Sequence, residues 1–259
     1  MRGAIIALAA YKGGVGKTTL AYEIAGALDA VLVDLDFQGG GATLMWGFNP
    51  LGVTRAPLLD ALESPERVPR PKRRPSRPDL VPCHPDLQVA RLDEDDIADA
   101  LERWATAWER PVVVDTHPGR HWTTDGATKV ADVIVVPVPP GRQELGATEA
   151  MLRQLPGFPL MLVPNKTPAI PDARWIAALA AFAELPGVQV ASPVSEHRWM
   201  QRRRLASAVT CQPNPGVRVK RAAIELVTVA KEVSTRCSQL RQNRPSPRAS
   251  QNSKLAATA

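Results

Sequence analysis

The chain has 259 residues, 44% of them hydrophobic, which is enough for one large α/β domain or two small ones. The net charge is +6, and no run of about 18 apolar residues predicts a membrane-spanning helix. The three cysteines lack metal-site spacing, and the N-terminus enters an apolar run without a leader-like segment. We therefore expect reduced thiols and a cytoplasmic location.

The first predicted elements enclose a glycine-rich stretch. An apolar run at 4–10 predicts a buried strand, and the pattern at 18–28 predicts a helix. Strand, glycine loop and helix N-terminus in this order are typical of a phosphate-binding loop, whose N–H groups surround the phosphates. In such a loop Lys17 contacts the β- and γ-phosphates and the Thr18 hydroxyl is a ligand of Mg²⁺. The stretch consists of Lys12, Gly13, Gly14, Val15, Gly16, Lys17, Thr18 and Thr19.

The loop departs from the common spacing, because Tyr11 stands six positions before Lys17 and Lys12 adds a second lysine. The pattern K-G-G-x-G-K-T-T resembles the deviant phosphate loop of the ParA/MinD family of ATPases. The resemblance implies an α/β fold with a mostly parallel β-sheet and helices on both faces, and it implies bound ATP and Mg²⁺. It also implies an ATP-bound homodimer, in which Lys12 crosses to the nucleotide of the other subunit and assists hydrolysis.

Two predicted strands, at 30–34 and 112–115, end in acidic motifs. Both motifs resemble those of the family, although Phe37 and His117 stand where the family usually has proline. The resemblance implies that Asp36 contacts the metal and activates the attacking water, and that Asp115 holds a Mg²⁺-bound water from the second shell. Glycines at 39–41 predict a mobile switch segment.

The middle of the chain contains a short predicted helix at 56–63 and a basic, proline-rich segment at 64–78. We expect this segment to be a mobile surface loop, which either touches a polyanion or is merely solvated. A helix is predicted at 93–109, with Ile97, Leu101, Trp104 and Trp108 on a core-facing stripe.

Strands are predicted at 133–138, 160–164 and 188–191, with helices at 142–155 and 171–185. Asn165-Lys166-Thr167-Pro168 follows the strand at 160–164, and guanine-specific proteins have Asp where Pro168 stands. The sequence therefore favours ATP over GTP. The resemblance implies that Asn165 reaches the adenine edge and that Pro193 belongs to the loop packing against the adenine.

The C-terminal part is strongly basic. From Ser195 onward, thirteen Lys and Arg face three acids, a local charge of +10 that leaves −4 for the rest. Such a segment favours a nucleic acid or an anionic membrane as partner, although some of its cations can pair with acids instead. A closing helix is predicted at 217–240, with Ile224, Val227 and Lys231 at helical spacing. We expect an ATPase domain at 1–240 and a basic, disordered tail at 241–259. The candidate DNA-binding residues are Arg198, Arg202, Arg203, Arg204, Arg218, Lys220 and Arg221.

The resemblance is compatible with three functions. The first is a ParA-type partition ATPase of the bacterial nucleoid, which binds DNA without sequence preference and responds to a ParB-like centromere-binding protein. The alternative is a MinD-like ATPase that positions a protein machine at a membrane, and Leu255 as the only large apolar residue of 242–259 argues against it. A reductase resembling the nitrogenase iron protein is disfavoured, because Cys83 and Cys211 do not match its cluster motifs.

Overall fold

The computed structural model describes residues 1–38, 41–52, 57–201 and 207–243. Within these ranges seven strands form one sheet, in the order β3-β2-β4-β1-β5-β6-β7, and all neighbouring pairs are parallel. The predicted α/β class is therefore confirmed. The strands are β1 (Ile5–Leu8), β2 (Val31–Asp34), β3 (Asp79–Val81), β4 (Val112–Asp115), β5 (Val133–Val138), β6 (Leu160–Pro164) and β7 (Val188–Val190).

Helices cover both faces of the sheet. In β1, Ile6 and Leu8 pack with helices at residues 17–27, 42–46 and 217–243, whereas Ile5 and Ala7 pack with the helices between residues 57 and 183. Because both faces are buried, the strands are continuous apolar runs rather than alternating ones. The helices are α1 (Lys17–Ala27), α2 (Ala42–Trp46), α3 (Pro57–Leu62), α4 (Glu94–Trp108), α5 (Trp122–Val130), α6 (Arg142–Gln154), α7 (Ala173–Ala183), α8 (Arg198–Gln201) and α9 (Val217–Asn243).

Sequence analysis did not predict α2 and α5. Helix α5 contains Gly126 and several threonines, which are poor helix formers. Gly126 lies against α4, where a Cβ atom would approach the Glu94 carbonyl oxygen to 2.4 Å. Tertiary packing thus stabilises this helix. The predicted α4 stripe is confirmed, since Ile97, Leu101 and Trp104 are buried.

The basic segment 64–78 is not a free loop, which corrects the expectation of mobility. Lys72 and Leu80 exchange two backbone hydrogen bonds, of 2.7 and 2.9 Å. The indole of Trp46 donates to the Pro78 carbonyl at 2.8 Å. These contacts fix the segment beside β3, one of the two edge strands of the sheet.

Helix α9 buries a different stripe from the expected one. Leu226, Val229 and Val233 are buried, whereas Ile224 is 59% exposed. The helix continues through Asn243, three residues beyond the expected end of the domain, and residues 244–259 of the expected tail lie outside the described part of the chain. None of the described helices is long and apolar enough to cross a membrane.

Candidate nucleotide-binding site

The phosphate loop and both acidic motifs lie at one edge of the sheet. Strand β4 lies between β1 and β2, and its last residue, Asp115, is in register with Leu8 and with Asp34. All three strands are parallel, so their carboxyl ends meet. Ligands of open parallel sheets bind at this edge.

Two glycines give the phosphate loop a backbone conformation that leaves the N-terminus of α1 accessible. Gly14 and Gly16 have φ values of 75° and 103°, in the left-handed region that favours glycine. A Cβ atom at Gly16 would lie 2.3 Å from Asn165 Nδ2, so space also requires glycine there. No side chain of the described residues caps the helix N-terminus at Gly16. Its first N–H groups, at Lys17, Thr18 and beyond, are thus oriented for an anion.

The segment after β6 holds the phosphate loop through two hydrogen bonds. Asn165 Nδ2 donates to the Val15 carbonyl at 2.8 Å, and Lys166 Nζ donates to the Gly14 carbonyl at 2.7 Å. Asn165 is buried. Its amide nitrogen thus faces the loop backbone rather than a base, and sequence analysis did not foresee either contact.

A cavity lies beside Asn165, and Gly16, Thr19, Ser195 and His197 are among the residues that line it. Pro193, which was expected to lie against the adenine, is exposed and does not line this cavity. Val194, the next residue, does line it and is buried.

Helix α9 fixes the cavity wall through Glu225. The Ser195 backbone N–H donates to Glu225 Oε2 at 2.9 Å, and His197 Nε2 lies 2.8 Å from the same oxygen. Burial raises the pKa of Glu225, but the hydrogen bonds from Ser195 and His197 outweigh burial and leave this pKa lowered. The carboxylate is therefore stabilised in its charged form.

Two carboxylates at the strand ends are fully buried. Burial raises the pKa of Asp34 to about 6, although its bonds from the Thr43 and Asp36 N–H groups, at 2.6 and 2.9 Å, counteract this. Burial and then the charge of Asp34 raise the pKa of Asp115 to about 8, while Lys17 lowers it. The side chain of Thr18 also lowers this pKa, so Thr18 lies beside the Asp115 carboxylate, whose two oxygens are buried. A buried carboxylate beside a hydroxyl group suits a nearby cation or its bound water.

Phe37 and His117, which stand where the family usually has proline, contact each other. The rings of Phe37 and His117 stack at 4.6 Å between centroids with an interplanar angle of 10°. Both nitrogens of His117 are buried and lack a hydrogen-bond partner within the described ranges. The stack joins the two acidic motifs next to Asp36, which is half-buried. The glycines at 39 and 40, on which the predicted switch mobility depends, lie outside the described residues.

Lys12 lies on α6. Its Nζ atom donates to Glu144 Oε1 at 2.5 Å and to Gln143 Oε1 at 2.9 Å. The Lys12 hydrogen bond lowers the pKa of Glu144. Sequence analysis did not identify Glu144, although its position in the first turn of a helix following the strand β5 is a signal for a carboxylate at this edge.

The candidate DNA-binding residues are only partly described. Arg198 lies 3.6 Å from a Glu196 carboxylate oxygen, and Arg221 lies 3.3 Å from one of Glu225. Arg218 and Lys220 are exposed. The expected cluster of Arg202, Arg203 and Arg204 lies outside the described residues.

Comparison with known proteins identifies the family of the chain. Residues 3–156, more than half of the chain, match a family described as an AAA domain. A ParA family protein of Mycoplasma genitalium is 29% identical over 170 residues, which are 54% of this chain and 60% of that protein. The chain thus spans less than two thirds of the length of that relative. The chain belongs to the ParA/MinD family of P-loop ATPases.

Solved structures share the fold. A putative plasmid partition protein of Borrelia burgdorferi, solved with bound AMPPNP, superimposes with a TM-score of 0.66 at 17% identity, covering 91% of this chain and 99% of that one. The cell division protein MinD of Aquifex aeolicus has a TM-score of 0.67 at 17% identity, covering 90% and 97%.

Proposed function

We propose that this protein is an ATP-dependent DNA partition ATPase. The supporting observation is that two lysines of the same loop have different surroundings, as expected if each contacts the nucleotide of a different subunit. Lys17 is buried beside Asp115, as a group serving the nucleotide of its own subunit would be. Lys12 lies apart from it, on Glu144, and its side chain is 35% exposed. In a homodimer, Lys12 could contact the nucleotide that is bound to the other subunit.

In this proposal ATP binds with its phosphates at the α1 N-terminus and its base in the cavity beside Asn165. Because Asn165 Nδ2 is engaged by the loop, its oxygen is the atom that would accept a hydrogen bond from the adenine amino group. Lys17 neutralises the β- and γ-phosphates, and Asp36 orients the attacking water. Lys12 of the second subunit stabilises the charge that develops on the transferred phosphoryl group.

Mg²⁺ fits the donor set of the site. The Thr18 hydroxyl would hold the ion directly, Asp36 would also contact it, and the buried Asp115 carboxylate would hold one of its waters. The ion would neutralise phosphate charge when bound.

The ATP-bound homodimer would bind DNA through its basic C-terminal surface, since neutralising phosphates accounts for most non-specific binding. A ParB-like centromere-binding protein would stimulate hydrolysis and so release the DNA, at the nucleoid in the bacterial cytoplasm. The fold is shared with a plasmid partition protein and equally with MinD, so the preference for partition rests on the basic C-terminal part of the chain.

The test measures binding to a random-sequence duplex with ATP, with ADP and without nucleotide, across a salt series. We expect binding that requires ATP and falls steeply as salt rises. Lys12→Ala should abolish ATP-dependent dimerisation and turnover, whereas Lys129→Ala, which removes an exposed lysine from α5, should preserve both. Binding that ignores the nucleotide would refute the partition function, and ATP-dependent binding to anionic vesicles alone would favour the MinD-like alternative.

A further inference from the structure

The segment 67–77 concentrates positive charge on the described surface. It contains no acid, and Arg73 is its one member paired with a carboxylate among the described residues, lying 3.1 Å from Asp79. Arg110 shares Asp79 at 2.7 Å, so this acid is already neutralised. The cations of the segment are Arg67, Arg70, Lys72, Arg73, Arg74 and Arg77.

Aromatic rings and prolines hold the segment in place. The guanidinium groups of Arg74 and Arg77 lie 4.9 and 5.4 Å from the Trp46 ring centroid, and Arg77 also donates to the Trp46 carbonyl. Lys72 Nζ lies 5.8 Å from the Phe48 ring. Prolines at 69, 71 and 75 restrict φ, so little backbone entropy is left to lose on binding. The cations are therefore presented from a backbone that is already ordered.

The segment also contacts the C-terminal basic region. The Ala208 backbone N–H donates to the Ser76 carbonyl at 2.9 Å. In the sequence Ala208 follows Arg204 by four positions, so this contact joins the end of the segment to the chain that follows the Arg202–Arg204 run. The end of the segment is therefore held against the chain that leads into α9.

We infer that the segment 67–77 binds the phosphate backbone of duplex DNA and extends the DNA surface that the proposed function requires. This inference rests on that function. Each contact between a cation and a DNA phosphate releases condensed counterions, which favours binding. Cations on an ordered backbone can make several such contacts with little loss of conformational entropy. An anionic membrane fits less well, since Val68 is the one large apolar residue within 67–77, and stable adsorption needs apolar anchors.

The test removes three of the cations that have no ion pair in the described structure, with Arg67→Gln, Arg70→Gln and Lys72→Gln combined; Arg74 and Arg77 are kept because they pack on Trp46. The matched control combines Arg2→Gln, Arg91→Gln and Arg174→Gln, which are exposed elsewhere and reduce the net charge of +6 by the same amount. ATP-dependent binding to random duplex should weaken at least about tenfold in the segment variant but little in the control. The slope of log affinity against log salt should lose about 0.9 for each phosphate contact removed.

The outcomes separate the inference from the function on which it rests. If the wild-type protein does not bind DNA, the proposed function fails. If the wild type binds and both variants match each other, the inference fails while the function stands. Equal thermal unfolding and equal ATP turnover of the two variants should show that the fold is intact.

A second measurement does not depend on mutation. In the wild-type protein, DNA together with ATP should protect Lys72 from acetylation, as quantified by mass spectrometry. Lys129, on α5, should keep the same reactivity with and without DNA. Unchanged acetylation of Lys72 in the DNA complex would overturn the inference.

Discussion

The contact between Lys12 and Glu144 should restrain dimerisation. If Lys12 reaches the nucleotide of the other subunit, it must first leave Glu144 Oε1, 2.5 Å away. The side chains are 35% and 23% exposed, so solvent screens the pair and its net worth is about 0.5–1 kcal/mol. At 1.4 kcal/mol per tenfold change, that is about 2- to 5-fold per subunit. Two contacts per dimer make about 5- to 25-fold in the dimerisation constant, by the same conversion.

Glu144→Gln removes the charge but keeps an acceptor, so it should strengthen ATP-dependent dimerisation by that factor. Sedimentation velocity across protein concentrations with ATP measures the constant. Glu149→Gln is the matched control, because Glu149 lies on the same helix but pairs with Arg153. The reasoning is refuted if Glu144→Gln dimerises no better than Glu149→Gln, or dimerises less well.

Three further predictions concern the site. Asn165→Ala should destabilise the protein by about 1–3 kcal/mol, because it leaves a buried loop carbonyl without its donor; denaturant unfolding measures this, and an unchanged midpoint would contradict it. Glu225→Gln should lower the melting temperature at neutral pH, and the difference from wild type should shrink as pH falls below about 4. The sign follows because the pKa of Glu225 is lowered in the folded state, so its stabilisation exists above the ordinary pKa and is lost as acid protonates it. Phe37→Ala and His117→Ala should show a coupling of about 0.5–1.5 kcal/mol in a double-mutant cycle of unfolding, whereas additive effects would exclude a stabilising stack.

Much of the site was predictable because it is local in sequence. A phosphate loop is a continuous stretch whose glycines and lysine act through the backbone that they themselves shape, so its motif and the flanking apolar runs indicate strand, loop and helix. The acidic motifs at Asp34 and Asp115 follow strands that are buried on both faces, and the parallel arrangement then implies a shared edge.

Pairings between distant segments could not be predicted in this way. The bonds of Lys12 to Glu144 and of Asn165 to Val15 join residues 132 and 150 positions apart, and no periodicity reports such contacts. Segment 64–78 illustrates the same limit, because its composition is typical of a mobile loop whereas Trp46 and the edge of the sheet hold it in place. Local propensity and motif spacing thus determined most of the elements and the phosphate loop. Only tertiary packing decided which side chains hold Lys12, Asn165 and the basic segment, because these partners come together only when the sheet assembles.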